Sequence, residues 1–142
     1  MPIPRAVADT NVWVAAAITP RGVCGRLLQA VLDGRWQPVL SPALIDELRD
    51  VLERPKFRRW ISDGEAHRFV ADLRVLAEEV ADPPAGGARR TIDPDDDFLV
   101  ALVGVTRVDA LISGDPHLLA LQGTDLPVVT PAAFLDRLSV EP

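Results

Sequence analysis

One cysteine, two histidines and one lysine are all that these 142 residues hold of three chemically versatile side chains. Cys24 alone excludes an intrachain disulfide and any zinc knuckle built on cysteine. His67 and His117 are too few to hold zinc by themselves. No window reaches the roughly 18 uninterrupted apolar residues of a membrane span. The opening Met1-Pro2-Ile3-Pro4-Arg5 lacks the apolar stretch of a secretion signal. Also missing are a Gly-rich phosphate loop, a GxSxG elbow and a Ser–His–Asp spacing. The expectation is a soluble protein of the cytoplasm with no membrane partner.

What is present describes one domain over residues 1–142. At 15.4 kDa the chain is long enough to bury roughly 68–70 % of its unfolded surface without a staple. Its 48 % hydrophobic and 25 % charged residues are those of a globular protein, not a disordered one. Fifteen Lys and Arg against twenty-one Asp and Glu give a net charge of −6, with a pI near 4.8. Such a balance argues against coating nucleic acid by bulk charge. It leaves room for a nucleic-acid enzyme whose bound cations and local arginines offset a local surplus of acid.

Short apolar runs alternate with helical patterns. Strands are expected at Ala6–Ala8, Gln37–Leu40, Glu79–Ala81, Ala110–Ser113 and Leu126–Val129. Helices are expected over Val12–Ile18 and Val23–Leu32, and from Ser41-Pro42 to about Glu53, where Ser caps and Pro takes the first position. Ser62-Asp63-Gly64-Glu65 spells a capping box for a helix ending near Ala77. Further helices run from Pro94 to about Val105, from Asp115-Pro116 through Leu121, and from Thr130-Pro131 onward. Pro83–Arg90 reads as a surface loop. This alternation predicts an α/β fold, a parallel sheet with helices on both faces, and ligands at the carboxyl ends of the strands.

Four acids fall at that edge. Asp9 ends the first strand, Glu47 lies in the second turn of the helix after the second, Asp97 near the start of the helix after the third, and Asp115 just past the fourth. They are tens of residues apart, so only the topology brings them together. Asp at a strand end is also ordinary turn chemistry, and acids in a first turn favour the helix dipole. The dipole, however, supplies only about half a charge. Two like charges 4 Å apart at an effective dielectric near 20 repel by about 4 kcal/mol, which a divalent cation relieves. Helical phase separates Glu47 from its neighbours. Leu44, Ile45, Leu48, Val51 and Leu52 form an apolar stripe that Glu47 borders, while Asp46, Asp50 and Glu53 point away. Hard oxygen donors without His or Cys suit Mg²⁺ or Mn²⁺, a site type used for phosphodiester hydrolysis.

Four strings carry a resemblance: Ala8-Asp9-Thr10-Asn11, Ser41 through Glu47-Leu48, Asp97-Phe98-Leu99-Val100-Ala101, and Ile112-Ser113-Gly114-Asp115. Together, over roughly Ala6 to Phe134, they resemble the PIN-domain nucleases, most of all the VapC-like toxins of bacterial toxin–antitoxin pairs. The resemblance implies a three-layer α/β/α sandwich of Rossmann type and a Mg²⁺- or Mn²⁺-dependent ribonuclease leaving a 5′-phosphate and a 3′-hydroxyl. It assigns Asp9, Glu47, Asp97 and Asp115 to the acidic quartet that binds metal, with Asn11 and Ser113 in support. It further implies an RNA substrate, a small antitoxin partner and a homodimer. His117 stands where many relatives carry a further Asp, which makes that side less acidic. Asp93, Asp95 and Asp96 crowd Asp97 and share its candidacy; the spacing to Asp115 and the following Phe98-Leu99-Val100 favour Asp97.

Pro55-Lys56-Phe57-Arg58-Arg59-Trp60 interleaves cations with aromatics. Lys56, Arg58 and Arg59 are therefore candidates for nucleic-acid binding, with Arg89 and Arg90 as a second pair. The competing reading packs Phe57 and Trp60 inward and solvates the two arginines. Trp13 and its apolar segment are expected in the core, with a dimer or antitoxin contact as the alternative, and His67 is expected on the surface. A receiver domain would need a late-strand lysine, and a dehalogenase-type phosphotransferase would need Asp where Asn11 stands; the sole lysine, Lys56, fits neither. Two alternatives remain open: a PIN nuclease of RNA processing or structured DNA, and a PIN-like module that binds without cutting.

Overall fold

Ala6, Val7 and Ala8 have no exposed surface, and neither do Ala110, Leu111 and Ile112. Two such runs side by side, apolar on both faces, are the centre of a parallel sheet. A computed structural model describes residues 2–84 and 94–140, the side chain of Val140 excepted. Arg89, Arg90, Asp93 and most of the expected Pro83–Arg90 loop lie outside the described residues.

The strands are β1 (Arg5–Ala8), β2 (Gln37–Leu40), β3 (Glu78–Glu79), β4 (Ala110–Ile112) and β5 (Val128–Val129). They pair in the order β3-β2-β1-β4-β5, and every pairing is parallel. Ala6 sits opposite Pro38 on one side and Ala110 on the other, while Ala8 faces Ile112. The helices are α1 (Thr10–Ile18), α2 (Val23–Leu32), α3 (Pro42–Leu52), α4 (Asp63–Leu76), α5 (Pro94–Thr106), α6 (Pro116–Leu119) and α7 (Pro131–Val140). A 3₁₀ turn at Pro55–Phe57 follows α3. The connections after β1 and β2 step across the sheet in one direction, those after β3 and β4 in the other. Right-handed crossovers then set α1–α4 on one face and α5 and α6 on the opposite one. The three-layer α/β/α sandwich is the one expected.

Several boundaries differ from expectation: β1 begins one residue earlier, at Arg5, and β4 ends one earlier, at Ile112. α1 begins at Thr10, immediately after β1, because Asp9 itself caps it. β3 is shorter and earlier than Glu79–Ala81, and β5 is only Val128–Val129, since Pro127 has no N–H to give the ladder. α6 ends at Leu119. The capping box at Ser62 forms as spelled, Ser62 accepting from the Glu65 N–H and Glu65 from the Ser62 N–H.

Trp13 is 1 % exposed and stacks on Trp36, with ring centroids 5.9 Å apart. Trp36 meets the edge of Phe134 at 5.3 Å, and its indole N–H donates to the Leu27 carbonyl at 2.9 Å. This aromatic stack joins α1, β2's approach and α7, so Trp13 belongs to the core. On α3, Leu44, Ile45, Leu48 and Leu52 are buried while Asp46 and Asp50 are exposed and Glu47 is half-buried, as helical phase predicts. His67 is exposed and lies 3.3 Å from Glu53.

Candidate active site

β1 and β4 are neighbours although β2 and β3 lie between them in the chain, which makes the carboxyl edge between them a switch point where a crevice opens. The backbone builds this edge. The Asp9 N–H donates to the Ile112 carbonyl, and the Ser113 N–H to the Val129 carbonyl, both at 3.0 Å. The two residues that leave the ladder therefore stand side by side.

Their side chains complete the arrangement. Asp9 Oδ1 accepts from the Val12 N–H at 3.0 Å, capping α1, and Oδ2 accepts a short hydrogen bond from the Ser113 hydroxyl. The same Ser113 oxygen accepts from the Asp115 N–H at 3.0 Å, and Asp115 Oδ1 accepts from the His117 N–H at 2.8 Å. One chain of contacts thus locks Asp9, Ser113 and Asp115 across two strands. Asp9 is only 7 % exposed, and burial pushes its carboxyl above the usual Asp range. The Ser113 hydroxyl and the Val12 N–H oppose that shift, and the negative charge of Asp115 adds to it.

A cleft of about 310 Å³ opens beside these residues. It is lined by the acids Asp9, Glu47, Asp95, Asp96 and Asp115, by Thr10, Asn11, Val51 and Leu99, and by Arg54, Lys56 and Phe57. Of the residues expected at the site, Asp9, Asn11, Glu47 and Asp115 line this cleft, and Ser113 supports it from beneath. Asp97 is half-buried and not among the lining residues; α5 contributes Asp95 and the buried Asp96 instead. Helical phase explains the difference. Asp96 lies three residues before buried Leu99 and six before buried Leu102, on the stripe that faces inward, while Asp97 is turned about 100° away. The same helical phase that sets Glu47 beside its apolar stripe sets Asp96 on the inward stripe of α5.

The basic segment divides. Lys56 and Phe57 line the cleft, the ammonium 5.1 Å from the Phe57 ring centre. Arg58 turns back into the fold, donating to the Leu52 carbonyl and pairing with Asp63. Arg59 lies over Trp60 at 4.9 Å, and Trp60 is 55 % exposed. Packing Trp60 inward and solvating Arg58 is therefore not what the chain does. Arg54 is a cleft-lining cation that sequence reasoning missed, because its i,i+4 partner Asp50 makes it look like an ordinary helix-surface residue.

Among the described residues no three His, Cys, Asp or Glu side chains stand close enough to share one ion as placed. The donor set nevertheless fits a hard divalent cation in kind. It consists of carboxylate oxygens, one on a buried Asp whose charge is costly without a counterion. Thr10 lines the same cleft, and its buried hydroxyl has no hydrogen-bond partner among the described residues. Such an orphan suits a hydrated ion or a phosphate oxygen.

A second cleft of about 440 Å³ adjoins the first through Asp9, Asn11 and Asp115. Its remaining walls are Val12, Cys24, Gly114, Pro116 and Pro131.

Known proteins agree with this architecture. An uncharacterized protein of Methanocaldococcus jannaschii, MJ1680, is 25 % identical over 143 residues, covering 94 % of this chain and 90 % of its own. The crystal structure of PAE2754 from Pyrobaculum aerophilum superposes with a TM-score of 0.68 over 97 % of each chain at 16 % identity, a likeness of fold. The PIN domain profile matches residues 5–117, which hold β1 through β4 and the whole acid cleft. The chain therefore belongs to the PIN domain family, whose members are in general nucleases that use divalent metals.

Proposed function

We propose that this protein is a metal-dependent endoribonuclease, hydrolysing RNA phosphodiester bonds as the toxin component of a toxin–antitoxin pair. The observation that carries the reading is the cleft at the β1/β4 switch point, where acids from four parts of the chain share one lining with Arg54, Lys56 and Phe57. Asp9, Glu47, Asp96 and Asp115 would hold Mg²⁺ or Mn²⁺ there. When bound, the ion supplies Lewis-acid polarisation of the phosphate and lowers the pKa of water.

The chain's own groups do the rest. Ser113 and the Val12 N–H fix both oxygens of Asp9, so this carboxylate is oriented before substrate arrives. A carboxylate oxygen of Glu47, half-buried at the cleft wall, takes the proton of the attacking water. Arg54 and Lys56 hold flanking phosphates, and the Phe57 ring offers a stacking face. The toxin role, a small antitoxin partner, a homodimer and a cytoplasmic location follow the resemblance of the four acid strings to the VapC-like toxins. Among the described residues no helix is long and apolar enough to cross a membrane.

Labelled single-stranded RNA incubated with Mn²⁺, Mg²⁺ or EDTA tests the reading. Wild-type protein cuts with metal and not with EDTA, and Asp9→Asn lowers the rate by about 10²–10⁴-fold with the fold retained, because Asn still caps α1. Full activity in Asp9→Asn would sink it. Growth arrest on expression, relieved by a small partner protein, separates a toxin from a processing nuclease.

A further inference from the structure

We propose that the second cleft is a nucleobase pocket for the nucleotide beside the scissile phosphate. The inference rests on the nuclease reading, and its first support is continuity. Asp9, Asn11 and Asp115 line both clefts, so a strand whose phosphate lies at the acids has its neighbouring nucleotide at the mouth of the second cleft.

The second support is the contrast in lining. The acid cleft carries Arg54 and Lys56 for phosphates. The second has neither Arg nor Lys among its described lining residues, and its only charges are the shared Asp9 and Asp115. A phosphate finds no cationic side chain among those residues. Val12, Pro116, Pro131 and the Cys24 thiol instead present apolar walls to a flat, neutral group, and about 440 Å³ lies in the range of small-ligand sites. At the boundary stands Asn11, exposed, whose carboxamide carries both a donor and an acceptor for a base edge.

The wall is also held in place. Gly25, next to Cys24, approaches the Pro20 backbone so closely that no Cβ would fit, which ties the start of α2 to the preceding turn. A base within a duplex is stacked and paired and must be extruded to enter such a pocket. An unpaired strand needs no such step.

Cys24, as the sole cysteine, gives a direct probe. Burial and the nearby charge of Asp9 hold its thiol above the usual range, so alkylation by N-ethylmaleimide is run at mildly alkaline pH, in EDTA, and read by mass. Single-stranded RNA oligonucleotides in roughly tenfold excess over their Kd should slow alkylation by about tenfold. An abasic strand and a duplex of the same length should not. Oligonucleotide binding seen by anisotropy without protection, or equal protection by the abasic strand, overturns the base pocket. Cys24→Phe, which fills the pocket, should raise KM more than it lowers kcat and change which base flanks the cut; an unchanged cleavage map overturns it too. Protection without any metal-dependent cleavage by wild type sinks the nuclease reading and keeps the pocket, while cleavage without protection does the reverse. No binding of any strand overturns both.

Discussion

The two edges of the sheet treat acids in opposite ways. At the amino edge, Arg5 of β1 reaches across β2 to Glu78 of β3 through two hydrogen bonds of 2.9 and 2.8 Å. Its guanidinium also donates to the Thr106 carbonyl, and its backbone N–H to Asp109, each within 3.0 Å. Arg5 beside Glu78 holds that carboxyl below the usual Glu range. At the carboxyl edge, burial pushes Asp9 upward, and Asp115 adds to the push. One edge ties strands together with matched charge. The other gathers acids from α3, α5 and the ends of β1 and β4 into one cleft that Arg54 and Lys56 also line. Asp9 and Asp115 at this second edge also cap α1 and α6, and the cation binding proposed above would relieve the repulsion among the acids.

The contrast sharpens most on α5. Asp96→Asn should lower the rate of RNA cleavage by about 10²–10⁴-fold, as removal of a participating carboxylate does, while Asp97→Asn should change it by less than about threefold. Single-turnover rates of the two variants check this, and the reverse order would return the site to Asp97. Metal comes next. Mg²⁺ or Mn²⁺ at about a hundred times its Kd should stabilise the fold by roughly 2.7 kcal/mol, read as a rise in Tm that Asp9→Asn abolishes and Glu78→Gln leaves intact. An equal rise in Asp9→Asn would mean that the ion binds elsewhere.

Smaller effects follow at the cleft's cations and at the amino edge. Lys56→Ala should raise KM for RNA several-fold, about 1 kcal/mol, and lessen the salt dependence of binding, with kcat little altered. Glu78→Gln should destabilise the fold by less than about 1 kcal/mol, because the pair is part-exposed and screened. The sign of its pH dependence follows from a lowered folded pKa. The contribution is fully present above the ordinary Glu value of 4.5 and is lost as pH falls through the lower folded value. Urea unfolding of wild type and Glu78→Gln across that acid range checks it, the two curves converging once Glu78 is protonated in both states.

Much of this was legible in the chain. Alternating apolar runs and helix caps announced a parallel sheet, because both signals are local: burial on two faces shows as a continuous apolar run, and a cap needs only its own next three residues. That Asp9, Glu47 and Asp115 meet at the carboxyl edge was readable because each sits at a fixed offset from a strand end or an apolar stripe. Lys56 and Phe57 were visible as a basic, aromatic strip, but the inward turn of Arg58 and the exposure of Trp60 were not. The first depends on the Leu52 carbonyl and Asp63 being in reach of Arg58, and the second on packing that leaves the Trp60 ring 55 % exposed under Arg59.

The sequence by itself determined the element order, the fold class and the types of side chain at the carboxyl edge. Periodicity, capping and turn chemistry act over a few residues and need no knowledge of the rest. Only the tertiary structure decided which carboxylate of α5 enters the cleft, that Arg54 and Lys56 line it, and that a second, apolar cleft shares Asp9, Asn11 and Asp115 with the first. Each of these depends on the angle and rotation at which one helix meets the sheet. Packing among distant parts of the chain sets that angle, and no local pattern encodes it.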